Sequence, residues 1–275
     1  MGFLSEGVAV VTGAGSGMGR CLAQQLAAKG ASLALADRSD RGLSETVAGL
    51  RGATGKVTKH LVNVADEAQV KRFADEVAAE HRRATLLFNN AGVALLGHLE
   101  EISLEDFRWL MDINFWGVVY GVTYFLPMLK KEKRAHIVNT SSLLGIFGAS
   151  GQGAYCASKF AVRGYTESLH HELEGTNVGV TCVHPGFVRT AIAEHAKTGE
   201  RAGRSLYKES MARFERVART DPDVAAAKIL RGVELGKMRV LIGADAYFVD
   251  IWQRLKPASY WSLIAKQFED PGAKR

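Results

Sequence analysis

The sequence predicts an α/β protein with one doubly wound, parallel, seven-stranded sheet, helices on both of its faces and a short helical tail. Three observations carry this. Short apolar or β-branched runs alternate with helix-length segments along most of the chain, the order expected of strand–helix–strand units. The runs are almost wholly apolar, as strands covered on both faces must be. No linker interrupts the series: prolines number 5, and no Pro/Gly-rich tract occurs. A chain of 275 residues with 47% hydrophobic content can bury one substantial core, so residues 1–275 are expected to form a single domain.

The runs that read as strands are residues 8–12, 32–36, 57–62, 85–88, 136–140, 178–183 and 239–242. Right-handed crossovers between them leave few topologies. A lid is expected over about residues 187–220. The tail, about residues 244–275, carries two apolar stripes at helical spacing. One is Phe248, Ile251, Trp252 and Leu255; the other is Tyr260, Trp261, Ile264 and Phe268. Such stripes need cover, whether from the lid and sheet edge, a second subunit or a membrane surface.

Directly after the first run stands Thr12-Gly13-Ala14-Gly15-Ser16-Gly17-Met18-Gly19, followed by an amphipathic helical pattern. A glycine-rich turn lets the backbone approach a pyrophosphate, and the helix N-terminus beyond it offers unpaired N–H groups to the anion. Asp37 ends the second run, 37 − 19 = 18 residues past the last glycine. There a carboxylate accepts from the adenosine ribose hydroxyls and repels a 2′-phosphate. This points to NAD as cofactor, with NADP the lesser alternative that Arg38 keeps open.

Tyr155 and Lys159 open a helical pattern running to about Glu174, and four-residue spacing stacks both side chains on one helix face. Ser142 ends the fifth run, 155 − 142 = 13 residues earlier. That distance allows a loop to bring all three to the carboxyl edge of the sheet, where open α/β sheets bind ligands. A phenol working as a base near pH 7 needs its pKa lowered by about 3, or about 4 kcal/mol. The Lys159 ammonium, at about 4 Å and helped by the positive nicotinamide ring of the oxidised cofactor, is expected to supply that.

In order along the chain, TGxxxGxG (Thr12–Gly19), Asn89-Asn90-Ala91-Gly92, Asn114, the Ser142/Tyr155/Lys159 set and Pro185-Gly186 with Thr190 resemble the short-chain dehydrogenase/reductase family, a Rossmann fold. The resemblance implies Tyr155 as acid/base, Ser142 as polariser of the substrate oxygen, Lys159 as holder of the nicotinamide ribose and Asn114 as holder of a relay water. It implies cofactor contacts from Gly13, Ser16, Gly17, Met18, Gly19, Asp37, Arg38, Asn63, Val64, Asn90, Ala91, Gly92, Tyr155, Lys159, Pro185, Gly186, Val188 and Thr190. Asn63 departs from the aspartate often found there but keeps an acceptor oxygen. The substrate pocket is expected to include Leu95, Leu143, Leu144, Phe187, Tyr207 and Met211. That lining suits a hydrophobic secondary alcohol or ketone. An NADPH-dependent carbonyl reductase and a non-catalytic dinucleotide sensor are the alternatives. Association through the helices carrying Asn114 and Tyr155, as a homodimer or homotetramer, is also implied.

Other partners are argued against by composition. A net charge of +6 is dispersed along the chain, unlike the concentrated basic element of a nucleic-acid binder. No apolar stretch reaches the ~20 residues of a membrane span, and the N-terminus lacks a signal-peptide pattern. Three cysteines, without metal-like spacing, suit reduced thiols in a cytoplasmic enzyme with no disulfide or metal. His136, His170, His171 and His184 have neither metal spacing nor a nucleophile elbow beside them, and read as structural or surface residues.

Overall fold

In a computed structural model, residues 2–199 and 204–268 are described. Residues 200–203 of the expected lid, the tail after 268 and the Phe268 side chain lie outside the described residues. Strands β1 (Val8–Thr12), β2 (Ser32–Asp37), β3 (Val57–Leu61), β4 (Leu86–Asn89), β6 (Ala135–Thr140), β7 (Val178–Pro185) and β9 (Arg239–Ile242) form one parallel sheet. Its order is β3-β2-β1-β4-β6-β7-β9. The order reverses direction between β1 and β4, so the carboxyl ends of these two strands frame the crevice where such sheets take a ligand.

Alternation along each strand sorts the core into two layers. Ala9 and Val11 of β1, Leu33 and Leu35 of β2, and Leu86 and Phe88 of β4 face one side. They meet Leu22 and Leu26 of α1 (Gly17–Ala28) and Ile229 and Val233 of α8 (Pro222–Glu234). Leu43 of α2 (Asp40–Ala48) closes that layer. Val10, Ala34, Leu87 and Ile137 face the other side. There they pack on Phe73 of α3 (Glu67–His81), Phe125 of α5 (Gly117–Leu129) and Leu169 of α6 (Gly153–Glu172). Between α4 (Leu104–Met111) and α5 the rod passes through a π-helical turn, Asp112–Trp116, with Asn114 inside it.

Two pieces of strand were not foreseen. β5 (Leu95–Leu96) pairs in parallel with β8 (Lys197–Thr198), clipping the lid to the loop after β4. Lys197 forms an ion pair with the buried Asp106 of α4 and lies 5.4 Å from the Trp109 ring centre. The lid continues as α7 (Arg204–Val217).

The tail folds as α9 (Ala244–Leu255) and α10 (Tyr260–Phe268). The inward face of α9 is not the aromatic stripe. Ala246 and Val249 are buried, together with Ile264 of α10, against Leu143, Leu144 and Phe147. Asp250 pairs with Arg239 of β9 at 2.7 Å, which ties the helix to the sheet edge, and with Arg254 of its own helix at 3.2 Å. Phe248, Ile251 and Leu255 are therefore exposed. No helix among the described residues is long and apolar enough to cross a membrane.

Candidate active site

The turn after β1 is shaped by what its side chains leave out. The Thr12 hydroxyl donates to the Phe88 carbonyl at 3.3 Å and accepts from the Asn90 and Ala91 N–H groups at 3.0 and 3.1 Å. The ends of β1 and β4 are thereby tied. The chain then turns through Gly13 and Gly17, at φ of 67° and 51°, conformations that favour glycine. A Cβ at Gly19 would collide with the Gly13 carbonyl, and one at Gly15 with the Asp37 carboxylate. Ser16 caps α1 without a side-chain hydrogen bond, which leaves first-turn N–H groups for an anion.

Asp37 is anchored at the end of β2. Its Oδ2 accepts from Gly15 N–H and its Oδ1 from Ser39 N–H, both at 2.9 Å. It lines a cleft of about 620 Å³ with Gly13, Ser16, Met18, Arg38, Asn63, Val64, Ala91 and Gly92. Arg20 and Arg41 share the wall, but both pair with Glu45. Asn63 spends its Oδ1 on the Ala65 N–H at 3.2 Å. Asn90 donates to the Thr12 carbonyl at 3.2 Å, yet its own Oδ1 is buried without a partner. Bare glycine backbone beside a helix N-terminus, a ribose-height carboxylate and an orphaned acceptor fit a nicotinamide dinucleotide.

A second cavity, about 190 Å³, adjoins the first, and Met18, Asn90, Gly92, Thr190 and Ile192 line both. Ser142, Tyr155, Lys159, Pro185, Gly186 and Val188 line it too. Ser142 opens a 3₁₀ turn, accepting the Leu144 N–H at 3.1 Å, and its carbonyl accepts from His184 Nδ1 at 3.0 Å. Burial pulls His184 down to about 4, so it stays neutral. Asn114 is wholly buried, and both ends of its amide have partners. It accepts from Val93 N–H at 2.9 Å and donates to the Val93 carbonyl and Ser158 Oγ at 3.0 and 3.1 Å. Its amide thus splints the loop after β4 to α6.

Burial dominates the electrostatics of Tyr155 and Lys159. Burial pushes the Tyr155 phenol up to about 12, opposed by a hydrogen bond with Ser142. Lys159 Nζ lies 5.7 Å from the ring centre and donates to the Thr140 carbonyl at 3.0 Å. Burial draws Lys159 itself down to about 8. With one N–H on the Thr140 carbonyl, the Lys159 ammonium keeps two more donors for a partner beside Tyr155.

Leu143, Leu144, Phe187 and Met211 line the second cavity, and Leu95 and Tyr207 do not. Leu95 packs with Leu110 and Ala154. Its neighbour Leu96 takes the cavity wall, because successive strand residues point to opposite faces. The Tyr207 hydroxyl donates to the Glu194 carbonyl at 2.9 Å, within the lid. Phe214 lines the cavity and stacks edge-on with Phe187 at 6.2 Å. Ser150, Gln152 and Ser210 add polar atoms the sequence did not lead one to expect. Asp245, which accepts from the Phe187 N–H at 2.7 Å, lies 245 − 187 = 58 residues away in sequence, and no local pattern marks it.

The family profile for short chain dehydrogenases matches residues 7–201. Putative oxidoreductase SadH of Mycobacterium tuberculosis is 41% identical over 260 residues, covering 94% of each chain. The 3-oxoacyl-(acyl-carrier-protein) reductase FabG of Thermotoga maritima is 35% identical over 187 residues, 68% of this chain and 76% of that protein. A short chain dehydrogenase/reductase from Burkholderia phymatum, solved in complex with NAD, superposes with a TM-score of 0.84 at 31% identity. That match covers 100% of this chain and 99% of the other. The family match and the near-full-length likeness in both sequence and structure make this chain a member of the short-chain dehydrogenase family of nicotinamide-dependent oxidoreductases.

Proposed function

We propose that the protein moves a hydride between NAD(H) and a hydrophobic secondary alcohol or ketone. The observation that carries this reading is the adjoining pair of cavities. One is walled by bare backbone and Asp37, and the other, largely apolar, has Ser142 and Tyr155 in its wall. When bound, the nicotinamide supplies or accepts the hydride. The chain's own residues align the reactants and move the proton. In reduction, Tyr155, a neutral phenol at pH 7 that burial raises further to about 12, gives its proton to the carbonyl oxygen while Ser142 polarises that oxygen. In oxidation, Tyr155 must first be deprotonated, which calls for a cation near the ring beyond Lys159 alone. Lys159 then binds the nicotinamide ribose, and Thr190 holds the carboxamide end.

Asp37 supports NAD over NADP, since its carboxylate faces the ribose position and repels a 2′-phosphate. Arg38, on the same wall, favours NADP as a second reading. The apolar lining from Leu96, Leu143, Leu144, Phe187 and Met211 favours aliphatic or aromatic substituents over a sugar. A homodimer or homotetramer is supported by the half-exposed Trp116 and Phe160, on the helical segments that carry Asn114 and Tyr155. The experiment is a spectrophotometric screen of hydrophobic ketones and alcohols with both cofactors. No turnover with any, despite cofactor binding, sinks the enzyme reading. Equal or better turnover with NADP(H) sinks the NAD assignment.

A further inference from the structure

We infer that Asp245, in the first turn of the tail helix α9, is a positioning residue for the nicotinamide and substrate end of the site. The inference rests on the dinucleotide reading above. Asp245 Oδ2 accepts from the Phe187 N–H at 2.7 Å, and the Gly186 N–H donates to the Ile242 carbonyl at 2.8 Å. Two consecutive amides after β7 are therefore held by the β9–α9 junction. Beyond them the chain carries Phe187, Val188 and Thr190 along the cavity.

Two glycines make this contact sterically allowed. Any Cβ at Gly186 would collide with both carboxylate oxygens of Asp245. Gly243 sits at φ 95°, and a Cβ there would meet Asp245 Oδ1. Gly186, Gly243 and Asp245 thus form one interlocked unit drawn from two distant stretches of chain. A carboxylate suits the position because it makes a charge-assisted bond to the amide and is favoured in the first turn of its own helix.

The same helix, together with α10, grips the opposite wall. Ala246, Val249 and Ile264 pack on Leu143, Leu144 and Phe147, the segment that follows Ser142. One helical unit therefore joins the Ser142 side of the cavity to its Phe187 side, with Asp245 as the polar contact. A residue that merely filled space would tolerate loss of its acceptor; a positioning residue would not.

Hydrogen exchange on the full-length protein without cofactor reads the Phe187 amide directly, and fluorescence titration of the same samples reads NADH affinity. Asp245→Ala is expected to speed exchange around Phe187 about tenfold and raise the NADH Kd about tenfold, the scale of one charge-assisted hydrogen bond. Protection across α9 and α10 should stay near wild type. Asp245→Asn, which keeps an acceptor oxygen, should remain within about threefold on both measures. If Asp245→Ala does not fold, Asp245→Ser, whose hydroxyl is too short to reach the amide, takes its place with the same expectations. Wild-type NADH affinity in Asp245→Ala or Asp245→Ser overturns the inference, and so does a loss in step with unprotected α9 and α10. A wild-type protein that binds neither NADH nor NADPH overturns the dinucleotide reading instead.

Discussion

Lys159 reaches past Tyr155 to the end of β6: its Nζ donates to the Thr140 carbonyl at 3.0 Å and stands 5.7 Å from the centre of the Tyr155 ring. Burial lowers this lysine from 10.5 to about 8, so the folded protein holds that proton less tightly than the unfolded chain. Between about pH 8 and 10.5 the unfolded chain carries more protons, and stability from this site rises with pH. Below pH 8 both states are protonated and the burial penalty, at most about 3 kcal/mol, is present in full. Tyr155 has the opposite sign, since a phenol raised from 10.0 to about 12 loses its contribution as pH climbs through that range. Urea unfolding of wild type and Lys159→Met at pH 7, 8, 9 and 10 should therefore show the wild type gaining relative to the variant. A difference that does not change with pH refutes the buried ammonium.

Tyr155→Phe keeps the ring and removes the transferable proton. Turnover should fall by about 10² to 10⁴, the usual range for a lost general acid/base, with NADH affinity little changed. Wild-type turnover in this variant would remove Tyr155 from the chemistry.

Asp37→Ala deletes the carboxylate and releases the Gly15 and Ser39 amides it holds. NAD(H) affinity should drop about tenfold or more, and relative preference should move toward NADP(H) as repulsion is lost beside Arg38. Paired titrations check this. An unchanged preference places the discrimination at another residue, with Arg38→Ala the next variant to make.

Lys197→Met strands the Asp106 carboxylate, which is 2% exposed, without its cation. Only the carboxylate of this pair is buried and the lysine is half exposed, so its loss is expected to weaken the β5–β8 clip by about 1 to 2 kcal/mol. The substrate KM should rise as the lid loosens, more than kcat falls. Steady-state kinetics with an unaltered KM would show that the clip does not govern access to the cavity.

Truncation after Gly243 uncovers Leu143, Leu144 and Phe147 and removes Asp245. The product should be less soluble and poorly active, because the wall following Ser142 loses its cover. Light scattering and activity measured together decide the matter. A soluble, active truncation of unchanged mass would mean that neither the cavity wall nor subunit association needs the tail.

The sheet was legible in the sequence because its central strands are buried on both faces, which leaves apolar runs such as Val8–Thr12 with no other reading. The glycine turn, Asp37 and the Tyr155–Lys159 spacing were legible for a related reason: each is local, set within a strand end or one helical turn. β5 and β8 were not. Two-residue strands exist only because the lid folds back on the loop after β4, and no propensity marks Leu95 or Lys197 for pairing.

What the sequence determined by itself is the layering of the fold and the order in which its chemical groups arrive at one sheet edge. Only the tertiary structure decided that Leu96 rather than Leu95 faces the cavity, that α9 turns Ala246 and Val249 inward, and that Asp245 meets Phe187. It also decided the electrostatics, since Tyr155 and Lys159 are displaced in opposite directions by burial. Desolvation depends on everything packed around a group, and that packing is drawn from segments far apart in the chain.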